Sequence, residues 1–170
     1  MSAGETGLSD AFSYFLKMIN DGEYIDSQIK EVGFFSYLLT KKQKSDISTV
    51  CKTNGWVDPR VKAICIDYEY LKHILDQRTG KDGLTYIDCA VILSAAFNTQ
   101  SRVSVNRKRH ENDDEREQQA VVFNAGSAIT SGKARSAYGT AIIEINLMGY
   151  KAITAYHSRL EKIKALNKGL

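Results

Sequence analysis

"AIIEINLMGYKAITAYHS" (141–158) decides the fold of this chain. Two apolar runs flank a Gly-Tyr pair that reads as a turn. In the first run Ala141, Ile143, Ile145 and Leu147 alternate with Ile142, Glu144 and Asn146. In the second, Thr154, Tyr156 and Ser158 fall on one side, and Ile153 and Ala155 on the other. Side chains of a strand point alternately to opposite faces, so both runs read as strands of one hairpin. Upstream, 101–108 and 119–124 carry the same signature, with Val103 and Val105 opposed to Arg102, Ser104 and Asn106. The expectation is an antiparallel sheet of about four strands. One of its faces would collect Arg102, Asn106, Asn146, Thr154 and Tyr156 and meet solvent, as antiparallel sheets allow.

Helices precede these strands. Residues 8–22 read as an amphipathic helix with Ser9 as N-cap and Gly22 as stop. Residues 40–55 open with Thr40 and Gln43 at capping-box spacing and end in Asn-Gly. Between them, 24–39 mixes periods and receives no assignment. The turn signals of "TNGWVDPR" (53–60) divide a helical N-terminal extension, 1–58, from a second unit, 59–170. That unit begins with a strand at 61–66. Asp67 caps a helix at 68–78, and Thr85 caps another at 86–97. A Ser/Gly/Ala-rich loop spans 125–139, and a short helix near 158–167 closes the chain. Helices first and strands after make an α+β arrangement.

Composition narrows the class. With 43% hydrophobic and 25% charged residues over 170 positions, the chain can bury a proper core. Its apolar runs fall short of the roughly 20 residues that cross a bilayer, and the N-terminus has no secretory signal pattern. Cys51, Cys65 and Cys89 are odd in number and lack CxxC spacing. They read as reduced, buried thiols in a cytoplasmic protein, with no zinc site and no metal or other cofactor expected. Charge is unevenly spread: "SRVSVNRKRH" (101–110) holds Arg102, Arg107, Lys108 and Arg109, and "ENDDEREQQ" (111–119) reverses the sign. The basic run is a candidate phosphate-binding edge. Its plainer alternative is a solvated hairpin whose two clusters neutralise each other.

"ICIDYEYLKHILDQRTGKDGLTYIDCAVIL", a basic strand and "AIIEINLMGYKAITAYHS" together resemble the ribonuclease fold shared by barnase, EndoU, colicin D and RelE-type toxins. The likeness is to the compact phage and polymorphic-toxin varieties, and it covers about 61–160. It implies metal-independent endoribonuclease activity through attack by the ribose 2′-hydroxyl. Such chemistry needs a base, an acid and donors to the developing phosphorane. By position the resemblance makes His73 the general acid/base candidate, and Thr154 and Tyr156 phosphate binders or orienters. His157 would be a second imidazole. Arg78, Arg102, Arg107, Lys108, Arg109 and Ser158 would bind RNA, with tRNA among the possible targets and a protein inhibitor as a further partner. Taken singly, His73 beside an apolar stripe reads as packing, and His110 and His157 as solvated. The rival reading is a non-catalytic phage or defence-related module that binds RNA or protein on the same sheet.

Overall fold

The structure, a computed structural model, describes residues 3–22, 33–106 and 119–168. Eleven elements follow one another in the described residues: α1 (Ala3–Asp21), β1 (Phe35–Leu38), α2 (Lys41–Asn54), β2 (Ala63–Ile66), α3 (Tyr68–Lys81), α4 (Tyr86–Ala96), β3 (Arg102–Val105), β4 (Ala120–Asn124), β5 (Tyr138–Asn146), β6 (Gly149–Ser158) and α5 (Leu160–Lys168). The α+β class holds, but the sheet is larger than four strands and is mixed. Six strands run in the order β1-β2-β6-β5-β4-β3, and β2 lies parallel to β6 while every other pair is antiparallel. Two strands are therefore interleaved among the helices. The 1–58 segment supplies β1 to this sheet, and Phe12, Leu16 and Ile47 to the same core as the rest.

The helix ends follow from local chemistry. Thr40 and Thr85 both close reciprocal capping boxes, with Gln43 and Asp88 at N3, and the Asp67 carboxylate accepts the Tyr70 N–H. α4 is apolar on nearly every side, which suits only a helix enclosed by other elements. Cys89, Ile92, Leu93 and Ala96 are wholly buried. The sheet curls around that core. Neighbouring strands stand about 4.8 Å apart, so four steps from β1 to β4 would separate them by about 19 Å in a flat sheet. Yet the Tyr37 and Phe123 ring centroids are 6.2 Å apart, and both rings lie near Phe97.

Gln43 locks this closure. Its side-chain oxygen accepts from the Tyr37 hydroxyl (2.9 Å) and the Thr40 N–H (3.2 Å), while Nε2 donates to the carbonyls of Asn98 (2.8 Å) and Ser101 (3.1 Å). A buried amide is tolerated because all its hydrogen-bonding capacity is used.

The final hairpin is real, but its turn is Leu147-Met148 rather than Gly-Tyr, since Asn146 pairs with Gly149. A register shift at Ile142/Ile143 also breaks the simple alternation of β6. Ile153 consequently packs with Ala120, Val122 and Ile142 on the outer face, while Ala152 and Ala155 face the inner core. The outer face is not open to solvent along these strands. α5 folds back over it, with Leu166 packed against that outer cluster and Ile163 only 4% exposed. Among the described residues, no helix is long and apolar enough to cross a membrane. Cys51 and Cys89 are buried as expected; Cys65 is exposed, because it stands on the outward side of β2.

Candidate nucleic-acid interface

On the outer face, alternation brings a polar row together at one end of the sheet. Arg102 pairs with Asn124, Asn124 with Thr140, and Thr140 with Tyr156. Three members of this end are deeply buried. Asn124 and Thr140 are fully enclosed and Ser158 is 5% exposed. Thr140 Oγ1 is 2.9 Å from Ser158 Oγ, and Asn124 Nδ2 donates to the Arg102 carbonyl at 3.3 Å. Tyr156 is half-buried; its hydroxyl accepts from Lys162 of α5, whose ammonium also lies 4.3 Å from the ring centroid. Such cation–π contacts are worth about 0.5–1 kcal/mol at partly exposed sites. Arg102 alone of this row is exposed, at the start of the edge strand.

The catalytic candidates are divided by the sheet. α3 packs on the inner face through Tyr70, Leu71, Ile74 and Leu75, and His73 is exposed on that helix. Thr154 and Tyr156 project from the outer face, opposite Ile142 and Thr140. His73 and Thr154 thus lie on opposite sides of the sheet. The link between α3 and this strand is Tyr70, whose hydroxyl donates to the Thr154 backbone carbonyl at 3.1 Å. His157 pairs with Gly139 and alternates with Tyr156, so it belongs to the inner side with His73. Its Nδ1 is buried without a hydrogen-bond partner.

Ser158 is engaged with Thr140 beneath the outer surface, rather than presented to a ligand. Arg78 is an intermediate case: its guanidinium pairs with Asp82 at 2.7 Å, and its Nε is buried. Arg107, Lys108 and Arg109 lie outside the described residues, as do His110 and the acidic 111–117 run.

Two clusters escaped the sequence reading. Lys44, Ser48 and Asp58 form a clasp, with Lys44 Nζ 2.7 Å and Ser48 Oγ 2.6 Å from the carboxylate. Asp88 joins α4 to the Ser/Gly/Ala loop: it caps Thr85 and also accepts the Lys133 N–H at 2.9 Å. Burial alone would raise its carboxyl, but the N–H groups of Thr85 and Lys133 outweigh that and hold it below the usual range. Both signals were present as an Asp at a turn and a Thr-x-x-Asp box, but nothing local names their distant partners. Cys89 is no nucleophile at neutral pH, since burial pushes its thiol up to about 12.

Comparison with protein-family models, with curated proteins and with solved structures finds no match for this chain.

Proposed function

We propose that this chain is a non-catalytic RNA-binding module that grips phosphates along its β3 edge. The observation that carries this reading is Arg102. Its side chain is exposed at the start of an edge strand, and the sequence continues from that strand into Arg107, Lys108 and Arg109. An exposed cation on a sheet edge can contact a phosphate, and neutralising phosphates releases counterions. Cleavage by the residues the ribonuclease resemblance suggests would require His73 and Thr154 to reach one phosphate, and the sheet stands between them. Tyr156 is meanwhile engaged by Lys162.

Fluorescence anisotropy with a labelled single-stranded RNA tests the reading. Affinity should fall with salt, and the Arg102→Glu, Arg107→Glu, Arg109→Glu variant should flatten the log–log slope by about 2, three contacts at about 0.7 each. An unchanged slope would reduce the basic run to a solvated hairpin. The same RNA should stay intact on a sequencing gel. Cleavage by the wild type that His73→Ala abolishes would restore the ribonuclease reading instead.

A further inference from the structure

Large apolar side chains stand in the open where β1, the segment before β2 and the β5–β6 turn come together. Leu38 and Val57 are exposed, and Leu147 and Met148 more so, at 75% and 91%. We infer that this end of the sheet is a peripheral docking face for an anionic lipid surface. The apolar side chains enter the lipid, and the cations around them meet the headgroups.

Register brings the pieces together. Leu38 pairs with Ala63 on β2, and the Leu39 N–H donates to the Lys62 carbonyl at 2.8 Å. β2 lies beside β6, with Cys65 opposite Lys151, and a Cβ on Gly149 would lie 3.6 Å from Val61 Cγ2. β1 and β6 are thus two strand steps apart, about 10 Å. Leu147 and Met148 form the tip beyond the paired Asn146 and Gly149. Arg102 begins its strand at the other end of the sheet, where the ladder runs through Asn124, Thr140 and Tyr156.

The tip defies ordinary turn chemistry. Two-residue hairpin loops favour Asn, Asp and Gly, and the leucine and methionine here gain no burial within the chain. Asn146 Oδ1 accepts the Met148 N–H at 2.9 Å and so fixes the turn. The neighbouring loop is held as firmly. Asp58 accepts from Lys44, Ser48 and the Arg60 N–H, and Arg60 sits at a φ of 57°, a left-handed conformation uncommon for arginine. Projections fixed in advance lose little freedom on binding.

Charge identifies the partner. Lys41, Arg60, Lys62 and Lys151 are exposed around the apolar residues. Among the described residues none of the four is held in a salt bridge. The acidic groups of this region are already matched: Asp58 pairs with Lys44, Asp46 with Lys42, and Glu144 faces Lys151 across the β5–β6 ladder. The balance is positive. Apolar groups that sink into the acyl boundary, with cations that meet anionic headgroups, hold a protein on a membrane surface. A protein partner would need a pocket for each of these separate projections, whereas a bilayer needs none.

Sedimentation with vesicles tests the inference, using phosphatidylcholine alone and phosphatidylcholine with about 30% phosphatidylserine. Wild type should pellet with the anionic vesicles and stay in solution with the neutral ones. Lys41→Gln with Lys62→Gln should weaken binding about 25-fold, about 5-fold for each cation. Leu147→Ser with Met148→Ser should weaken it about 10-fold or more, with the thermal midpoint and RNA affinity unchanged. Met148→Trp should show a blue-shifted emission when anionic vesicles are added, as the ring leaves water. Failure of wild type to pellet overturns the inference. So does pelleting that survives Leu147→Ser with Met148→Ser but is lost in the Arg102→Glu, Arg107→Glu, Arg109→Glu protein, because the basic run would then hold the lipid. A wild-type dimer that ignores vesicles, and that the two serines make monomeric, would instead assign the face to a second copy of this chain and overturn it as well. The RNA-binding reading stands or falls separately from all of these.

Discussion

Asp58 sits where α2, the crossover after it and the start of β6 converge. Its carboxylate accepts from Lys44, from Ser48 and from the Arg60 N–H at 3.0 Å, while the Lys44 ammonium lies 5.9 Å from the Tyr150 ring centroid. Partial burial pushes its pKa upward, yet these donors overcome that and bring it to about 2. An unfolded aspartate titrates near 3.9, so the folded value is the lower one. The stabilisation is therefore complete above about pH 4 and is lost as pH falls through about 2. At about 1.4 kcal/mol per unit, a gap of about 1.9 units amounts to about 2.6 kcal/mol at most. Urea unfolding at about pH 6 and about pH 2.5 should show this loss in the wild type, and Asp58→Asn should remove most of it. Equal pH sensitivity in both proteins would mean that another carboxylate governs the acid limb. Little of this is legible in the sequence. "WVDPR" announces a turn, and an Asp that accepts from its own i+2 N–H is ordinary turn chemistry. That Lys44, fourteen residues earlier, points at it depends on how α2 lies against the crossover. Gln43 carries the same lesson: its capping role is visible at i, i+3, and its bonds across to Asn98 and Ser101 are not.

At the scale of elements, α4 and β5 meet more closely than any side chain would permit. A Cβ on Gly139 would lie 2.5 Å from the Ile92 carbonyl, 2.7 Å from Ala95 Cβ and 2.8 Å from the Ala96 nitrogen. Gly139 does not occupy the left-handed region, so space rather than backbone freedom demands glycine here. Gly139→Ala should force helix and strand apart and cost about 1–3 kcal/mol, the usual range for overpacking. Gly80, inside α3, is the matched control, because a methyl added there would have nothing within 4 Å. Gly80→Ala should be neutral or stabilise by about 0.5–1 kcal/mol. Chemical denaturation of both variants checks the pair, and equal midpoints would deny the close approach. Elements with strong local signals are readable: Thr40, Asp67 and Thr85 cap where their spacing says they should. β1 is not, because "FFSYLL" is apolar at nearly every position and shows no alternation. The structure supplies the reason. Tyr37 turns into the core while Leu38 is 72% exposed on an edge strand, so burial alternates where hydrophobicity does not.

For the whole molecule, the decisive arrangement is a curled sheet filled on its inner side by α4 and covered on its outer side by α5. Alternation along β5 and β6 correctly assigns side chains to two faces up to the bulge at Ile153. It cannot say that both faces are covered. The clue lies in β4, "AVVFN", where all five residues are buried and Ala120 and Val122 need a partner as much as Val121 and Phe123 do. A strand apolar on both sides belongs between two layers. The polar groups beneath α5 are consistent with this, since Thr140 and Ser158 satisfy one another instead of meeting water. α5 is then held by few apolar anchors, and Ile163 is the deepest, at 4% exposure. Ile163→Ala should cost about 2 kcal/mol, the low end for such truncations because a terminal helix can settle into the space left. Leu160, 42% exposed at the start of the same helix, should lose less than about 0.5 kcal/mol when changed to alanine. Helix propensity separates the two variants by only about 0.2 kcal/mol, because leucine and isoleucine differ little as helix formers. Equal stabilities would therefore show that α5 does not rest on the outer face. A large difference, accompanied by faster amide exchange throughout 160–168, would fix it there as the second layer of the fold.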